Sequence, residues 1–164
     1  YFCILKYDTQ AGCINQINYM RYLSLFVFTV ISLVLSAQKS PVSWKFSIEA
    51  QNNEKTTFVA KADIAKGWNI YAVYMSDEGP IPTSFSFDNI INGSKDGDVK
   101  EVSTPIKGHD DLFDMEVIKF KHEAVFSQSF ITKPGFQLTG SVTFMCCDNE
   151  RCLPPATVNF DLKQ

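Results

Sequence analysis

Val42-Ser43-Trp44-Lys45-Phe46-Ser47-Ile48-Glu49 sets four apolar side chains, Val42, Trp44, Phe46 and Ile48, at alternate positions between Ser43, Lys45, Ser47 and Glu49. An apolar residue at every second position is the period of a strand with one face buried and the other in water. The pattern recurs on both sides of several turns. Phe58, Ala60, Ala62 and Ile64 line one face of 56–64, and Ala65-Lys66-Gly67 then turns the chain into 68–73. Phe85 and Phe87 alternate with Ser84 and Ser86 in 83–87, and two β-rich runs follow at 115–121 and 124–131. Phe136, Leu138, Gly140, Val142 and Phe144 share one face of the longest run, and Val158, Phe160 and Leu162 close the chain. Asn52-Asn53, Gly79-Pro80, Asn92-Gly93, Asp96-Gly97-Asp98 and Pro134-Gly135 read as turns between these runs, with Gly67 and Gly79 free to take positive φ. About eight short strands with frequent turns and no amphipathic helix predict an all-β domain built as a two-sheet sandwich.

The chain has 164 residues with 14 Phe and 5 Cys, so its core is expected to come from apolar side chains rather than from disulfides. Met20-Arg21-Tyr22-Leu23-Ser24, an apolar block over 25–35 and then Ser36-Ala37-Gln38 have the layout of a secretory signal peptide, cleaved after Ala37 or, with Val34 and Ser36 at the key positions, one residue earlier. The block is shorter than a membrane span and is interrupted by Ser and Thr. Residues 1–19 precede Met20 and read as an upstream extension, leaving 38–164 as a single domain. Losing Lys6, Arg21 and Asp8 moves the net charge from −3 to −4, and a mildly acidic surface offers nothing to nucleic acid.

Cys3 and Cys13 leave with the N-terminal segments, and the remaining sulfur chemistry lies in Cys146-Cys147-Asp148-Asn149-Glu150-Arg151-Cys152-Leu153-Pro154-Pro155. Two thiols in one short loop meet the need of thiol–disulfide exchange, in which one sulfur enters a mixed disulfide and a neighbour resolves it. Closing so small a loop stabilises a fold by only about 2 kcal/mol, which favours a reducible couple. Pro154 and Pro155 lack N–H donors and hold Cys152 at an edge that a partner can reach. Continued strand alternation sends Cys146 after Phe144 toward the core and turns Cys147 away, favouring Cys147 as the reactive thiol and Cys146 as an inert buried one. Arg151 favours a thiolate, whereas Asp148 and Glu150 oppose it.

Gly67-Trp68-Asn69-Ile70-Tyr71, Gly79-Pro80-Ile81-Pro82-Thr83-Ser84-Phe85 and the Cys147-to-Pro155 element together resemble the N-terminal periplasmic domain family of the thiol:disulfide interchange protein DsbD. The resemblance extends from about Val42 to Leu162, and the Cys-loop-Cys-Leu-Pro-Pro element is its specific part. It implies an immunoglobulin-like β-sandwich with a redox hairpin at one end. It also implies a function, the relay of two electrons from a thioredoxin-like donor to periplasmic acceptors such as disulfide isomerases and cytochrome c maturation factors. No cofactor is called for. By position, Cys147 and Cys152 match the family's redox pair, with Cys152 the partner-facing nucleophile and Cys147 the resolving thiol. The family's shielding loop matches Asp110-Asp111-Leu112-Phe113-Asp114, which makes Phe113, with Asp111, the cap over the disulfide. Four residues separate Cys147 from Cys152, whereas counting from Cys146 restores the five of the best-known member.

Three other readings compete. A structural staple in a non-enzymatic exported binding module is common in oxidising compartments. A zinc site drawing on Cys146, Cys147, Cys152 and His109 or His122 lacks the paired ligand spacing that such sites use. The two histidines fit surface positions better, and no orienting group suggests a Cys-His hydrolase. Trp44, Trp68, Tyr71 and Phe85 are assigned to core or inter-sheet packing, with Tyr71 or Trp68 reaching the redox end as the alternative, and Asp110, Asp111 and Asp114 to a solvated loop face. The sequence has no C-x-x-C, so electrons must come from another molecule.

Overall fold

The computed structural model describes residues 40–52, 54–75 and 79–164, so the expected leader and the extension before it lie outside the described residues. Among the described residues there are nine strands: β1 Val42–Asn52, β2 Lys55–Ile64, β3 Asn69–Tyr71, β4 Ser84–Glu101, β5 Ile106–Asp110, β6 Met115–Lys121, β7 Glu123–Phe144, β8 Cys146–Cys147 and β9 Ala156–Lys163. They form an all-β sandwich of two antiparallel sheets, one running β1-β2-β7-β4 with β9 also on β7, the other β5-β6-β3-β8. No helix among the described residues is long and apolar enough to cross a membrane.

Strand β7 organises the first sheet. Its first half pairs with β2, from Asp63↔Glu123 to Lys55↔Ile131, and its second half pairs with β9, from Gln137↔Lys163 to Phe144↔Ala156. Strand β4 follows both halves, with a register jump between Ile91↔Gln137 and Gly93↔Thr132. The Pro134-Gly135 and Asn92-Gly93 signals, expected to separate strands, therefore lie inside β7 and β4 and bend them. Asn92 adopts φ 55° and donates its side-chain amide to the carbonyls of Pro134 and Gly135, both at 3.2 Å. Gly93 lets the Phe136 ring pass where a Cβ would lie 2.7 Å from it. Turn-forming residues serve bulges as well as hairpins, and a bulge increases local bend and twist. Asp96-Gly97-Asp98 likewise falls at a register shift within β4, between the pairs Asp96↔Ser129 and Lys100↔Ser127.

The bend brings the two halves of the sheet to a common aromatic core. Phe58 on β2 meets Phe87 on β4 at 5.4 Å and Phe160 on β9 at 4.8 Å between ring centroids, while Phe85 meets Phe126 at 5.4 Å. Trp44, Phe46, Phe130 and Phe136 extend the cluster, and Ile70, Phe120 and Cys146 join it from the second sheet. Gly79 is also a position of close approach: its lack of a side chain admits Met115, whose Sδ would stand 2.8 Å from a Cβ there.

Candidate functional site

Alternation through Phe144, Met145, Cys146 and Cys147 divides the sulfurs between two faces of the second sheet. Phe144 and Cys146 enter the aromatic core, whereas Cys147 joins a separate cluster with Tyr71 and Val117 on the opposite face. Strand β8 is only two residues long but is fixed by β3, which pairs Ile70 with Cys146 and Asn69 with Cys147. Cys147 and Cys152 form a disulfide with Cα atoms 4.0 Å apart, and they face each other in an antiparallel bridge. Cys147 is fully buried and Cys152 is half-buried, so the bond joins a sheltered residue to a partly exposed one. Cys146 stays a free thiol whose pKa is raised by burial.

The hairpin between the cysteines is held by its own polar groups. Asp148 Oδ1 accepts from the N–H of Glu150 and of Arg151, each at 2.8 Å, and these bonds hold its carboxyl below the ordinary aspartate range. The Asp148 N–H donates to the Arg151 carbonyl at 3.0 Å, and the Leu153 N–H returns to the Cys146 carbonyl at 2.9 Å. Arg151 Nε lies 3.8 Å from Asp148 Oδ2, which turns the two opposing charges of the sequence toward each other.

The β5–β6 connection lies beside this bond. Phe113 is half-buried, packs on the Tyr71–Val117–Cys147 cluster and meets the Tyr71 ring edge-on at 6.0 Å. Met75, Met115, Met145 and Cys152 complete the surround. Asp111 turns the other way, with its side chain 99% exposed and 3.7 Å from His109 Nε2, while Asp114 Oδ1 lies 3.5 Å from the same nitrogen. His109 and His122 are both exposed, and no cluster of three His, Cys, Asp or Glu residues among those described could hold a metal ion.

Asp110 departs from the solvated role assigned to it. It is 6% exposed; its Oδ2 binds Lys119 Nζ at 2.8 Å and accepts from the Tyr71 hydroxyl at 3.4 Å. Its Oδ1 receives the Leu112 N–H at 3.2 Å, and its carbonyl receives the Phe113 N–H at 3.2 Å. One carboxylate thus ties the Phe113 loop to the sheet beneath it. Burial pushes the Tyr71 phenol up to about 12, with the nearby Asn69 amide opposing and Asp110 reinforcing the shift. Tyr71, assigned to packing with the redox end as the alternative, and Asn69, which the sequence did not single out, both belong to the site. Their signal was available in the period of β3: Asn69 and Tyr71 share a face, and Ile70 points the other way into the core.

Comparison with known proteins places this geometry. No curated protein sequence matches the chain. The N-terminal periplasmic domain of ScsB from Proteus mirabilis superposes with a TM-score of 0.58 at 14% identity, covering 78% of this chain and 49% of that one, so the chain spans about half the length of that structure. The reduced N-terminal domain of DsbD from Neisseria meningitidis gives a TM-score of 0.46 at 17% identity, covering 81% of this chain and 93% of that one. The GAE domain of GGA2p from Saccharomyces cerevisiae gives 0.42 at 12% identity, covering 77% and 93%. The family model for the N-terminal region of the thiol:disulfide interchange protein DsbD matches residues 36–164. With its immunoglobulin-like sandwich and a cysteine pair in bonding contact, the chain belongs to the DsbD N-terminal family of thiol–disulfide exchange modules.

Proposed function

We propose that this protein is a periplasmic electron relay, a thiol:disulfide oxidoreductase in which the Cys147–Cys152 couple passes two electrons from a thioredoxin-like donor to thioredoxin-fold acceptors. Disulfide isomerases and cytochrome c maturation factors are the acceptor classes in view, and the segment 20–37 would direct export. The observation that carries the proposal is the asymmetry of the bond, with Cys147 fully buried and Cys152 half-buried ahead of Pro154-Pro155. A donor thiolate attacks the Cys152 sulfur, the S–S bond breaks, and Cys147 leaves with the electron pair as a thiolate. The donor's second thiol then resolves the mixed disulfide and frees Cys152 as a thiol. Delivery to an acceptor runs the same steps in reverse. Cys152 attacks the acceptor disulfide, and Cys147 resolves. Phe113 acts as the cap, and Asp111 belongs to the same loop.

The test is exchange with a reduced thioredoxin-fold donor. Cys152→Ser should abolish electron transfer, and Cys147→Ser should leave a partner covalently trapped on Cys152; full exchange by Cys152→Ser would refute the assignment. The rival, a staple in a binding module, predicts a reduction potential below about −300 mV, whereas a relay lies nearer the periplasmic range.

A further inference from the structure

We infer that Asn69 is the positioning residue for the Cys147 thiolate: its side-chain amide is a donor held in reserve for the sulfur anion released when the disulfide opens. The inference rests on the relay reading but concerns a residue outside the cysteine pair and its cap. Asn69 stands directly opposite Cys147 in the β3–β8 pairing, and residues opposite one another across antiparallel strands project to the same face with Cβ atoms about 4.5–5.5 Å apart. Its side chain is buried, the residue being 3% exposed, and its Nδ2 has no hydrogen-bond partner among the described residues. The amide lies close enough to the Tyr71 phenol to favour its ionised form, but the contact does not meet hydrogen-bond geometry and leaves Nδ2 without a partner.

A buried, unpaired amide donor is costly, and a redox role is one of the reasons a native fold retains one; of the unpartnered buried atoms among the described residues, those of Trp44, Thr57, Asn69 and Gln128, the one on Asn69 stands opposite a redox cysteine. The oxidised site gives Asn69 no good acceptor, because a disulfide sulfur carries little negative charge. Reduction changes that. When the donor thiolate bonds to Cys152, the electron pair of the S–S bond goes to Cys147, and a fully buried anion then needs a donor. The other donors on this face are engaged: Lys119 Nζ binds Asp110 at 2.8 Å, and the Tyr71 hydroxyl points to the same carboxylate at 3.4 Å. Arg151 is exposed and faces Asp148, His109 faces Asp111 and Asp114, and the Cys146 thiol lies on the opposite face of the sheet. Asn69 is the group left to meet the anion.

The test uses the full chain, reduced with dithiothreitol, with Cys147 alkylation followed site by site by mass spectrometry across pH. Asn69→Leu removes the donor and should move the Cys147 labelling midpoint upward by about one pH unit. It should also lower the reduction potential, measured where Cys147 is ionised in the parent chain, by about 30 mV, the equivalent of tenfold in the equilibrium constant. The oxidised form should unfold no earlier than the parent, since it loses only an unpaired group. Asn69→Thr, which keeps a donor hydroxyl and suits a strand, should restore most of the midpoint; it also serves as the comparison if the Leu variant does not fold. An unchanged midpoint and potential in a folded Asn69→Leu chain, or a Thr variant shifted as far as the Leu variant, would overturn the inference. Because dithiothreitol replaces the protein donor, failure of exchange with thioredoxin-fold partners would count against the relay and leave this measurement standing.

Discussion

Replacing Phe113 with Ala should make the Cys147–Cys152 bond easier to reduce. The ring packs on the cluster around Cys147 and meets Tyr71 edge-on at 6.0 Å, so in the proposed cap role a reductant approaching the bond must first displace it. Complete burial of a Phe side chain is worth about 1.5–3 kcal/mol, and a half-buried ring about half of that. The edge-to-face contact adds about 0.5–1.5 kcal/mol. Together these put the cost of lifting the ring at ~1.3–3 kcal/mol, and removing it should raise the reduction rate by roughly 8- to 140-fold, at about 1.4 kcal/mol per factor of ten. The assay is pseudo-first-order reduction by dithiothreitol with acid quenching and mass analysis, alongside thermal unfolding of the oxidised form. Phe113→Leu should fall between the parent and the Ala variant, because it keeps apolar cover but loses the aromatic contact. An unchanged or slower rate in a folded Phe113→Ala chain would refute the shielding argument, since the contacts counted above would then not stand between solvent and sulfur.

Two further outcomes follow from the packing and the buried phenol. Gly140→Ala should lower the melting temperature by roughly 5–15 °C, the equivalent of about 1–3 kcal/mol of overpacking, because its Cβ would strike the Ser86 carbonyl oxygen and lie 2.7 Å from the Phe160 ring; a melting curve superposing on the parent's would show that the β4–β7–β9 contact gives way freely. Tyr71 keeps its proton in the fold up to about pH 12 but loses it near 10.0 in the unfolded chain, so stability falls as pH rises through this window, by about 2 kcal/mol at pH 12; denaturant titrations at pH 9 and 11.5 should show the fall in the parent and a smaller one in Tyr71→Phe, and equal falls would contradict the burial of the phenol.

How legible each part was depended on whether it left a periodic trace. β1, β2 and β9 alternate apolar and polar residues, and their extents were readable because one face of each meets the Phe core. β4 beyond Phe87 was not, since Asn89 to Glu101 buries no apolar stripe and is held in the sheet by pairing along β7. β5 is an edge strand with Lys107, Gly108 and His109 at its centre and pairs on one side alone, so it too lacks a period. At the site, the alternation from Phe144 to Cys147 was informative about which sulfur faces the core. Asp110 could not be told from Asp111 in a run of acids, because what separates them is a single reach, to Lys119 nine residues on. Asn69 was marked only by its period, which puts it on the face of Tyr71, and a lone Asn in a strand acquires chemical meaning only from the sulfur opposite it.

The separation of the two clusters explains how a bond in a folded domain can open without unfolding it. The aromatic core lies within the bent first sheet and takes from β8 only Cys146, whereas the disulfide belongs to the small cluster under Phe113. Closing a loop this short contributes about 2 kcal/mol at most, and the hairpin has other ties: two N–H groups on Asp148 Oδ1, the Asp148–Arg151 backbone bond and the Leu153–Cys146 bond. None of these involves sulfur, so none of them depends on the disulfide. A staple is most effective where it joins distant segments of chain, and this one joins residues five apart that the backbone already holds together. What the bond adds in that position is less a restraint than a state, and the groups around it differ in what each state offers them. In the oxidised form Tyr71 and Lys119 are satisfied through Asp110 while Asn69 is not. On the role inferred for Asn69, that imbalance favours the reduced form, easing the step in which a donor opens the disulfide and opposing the step in which an acceptor closes it again.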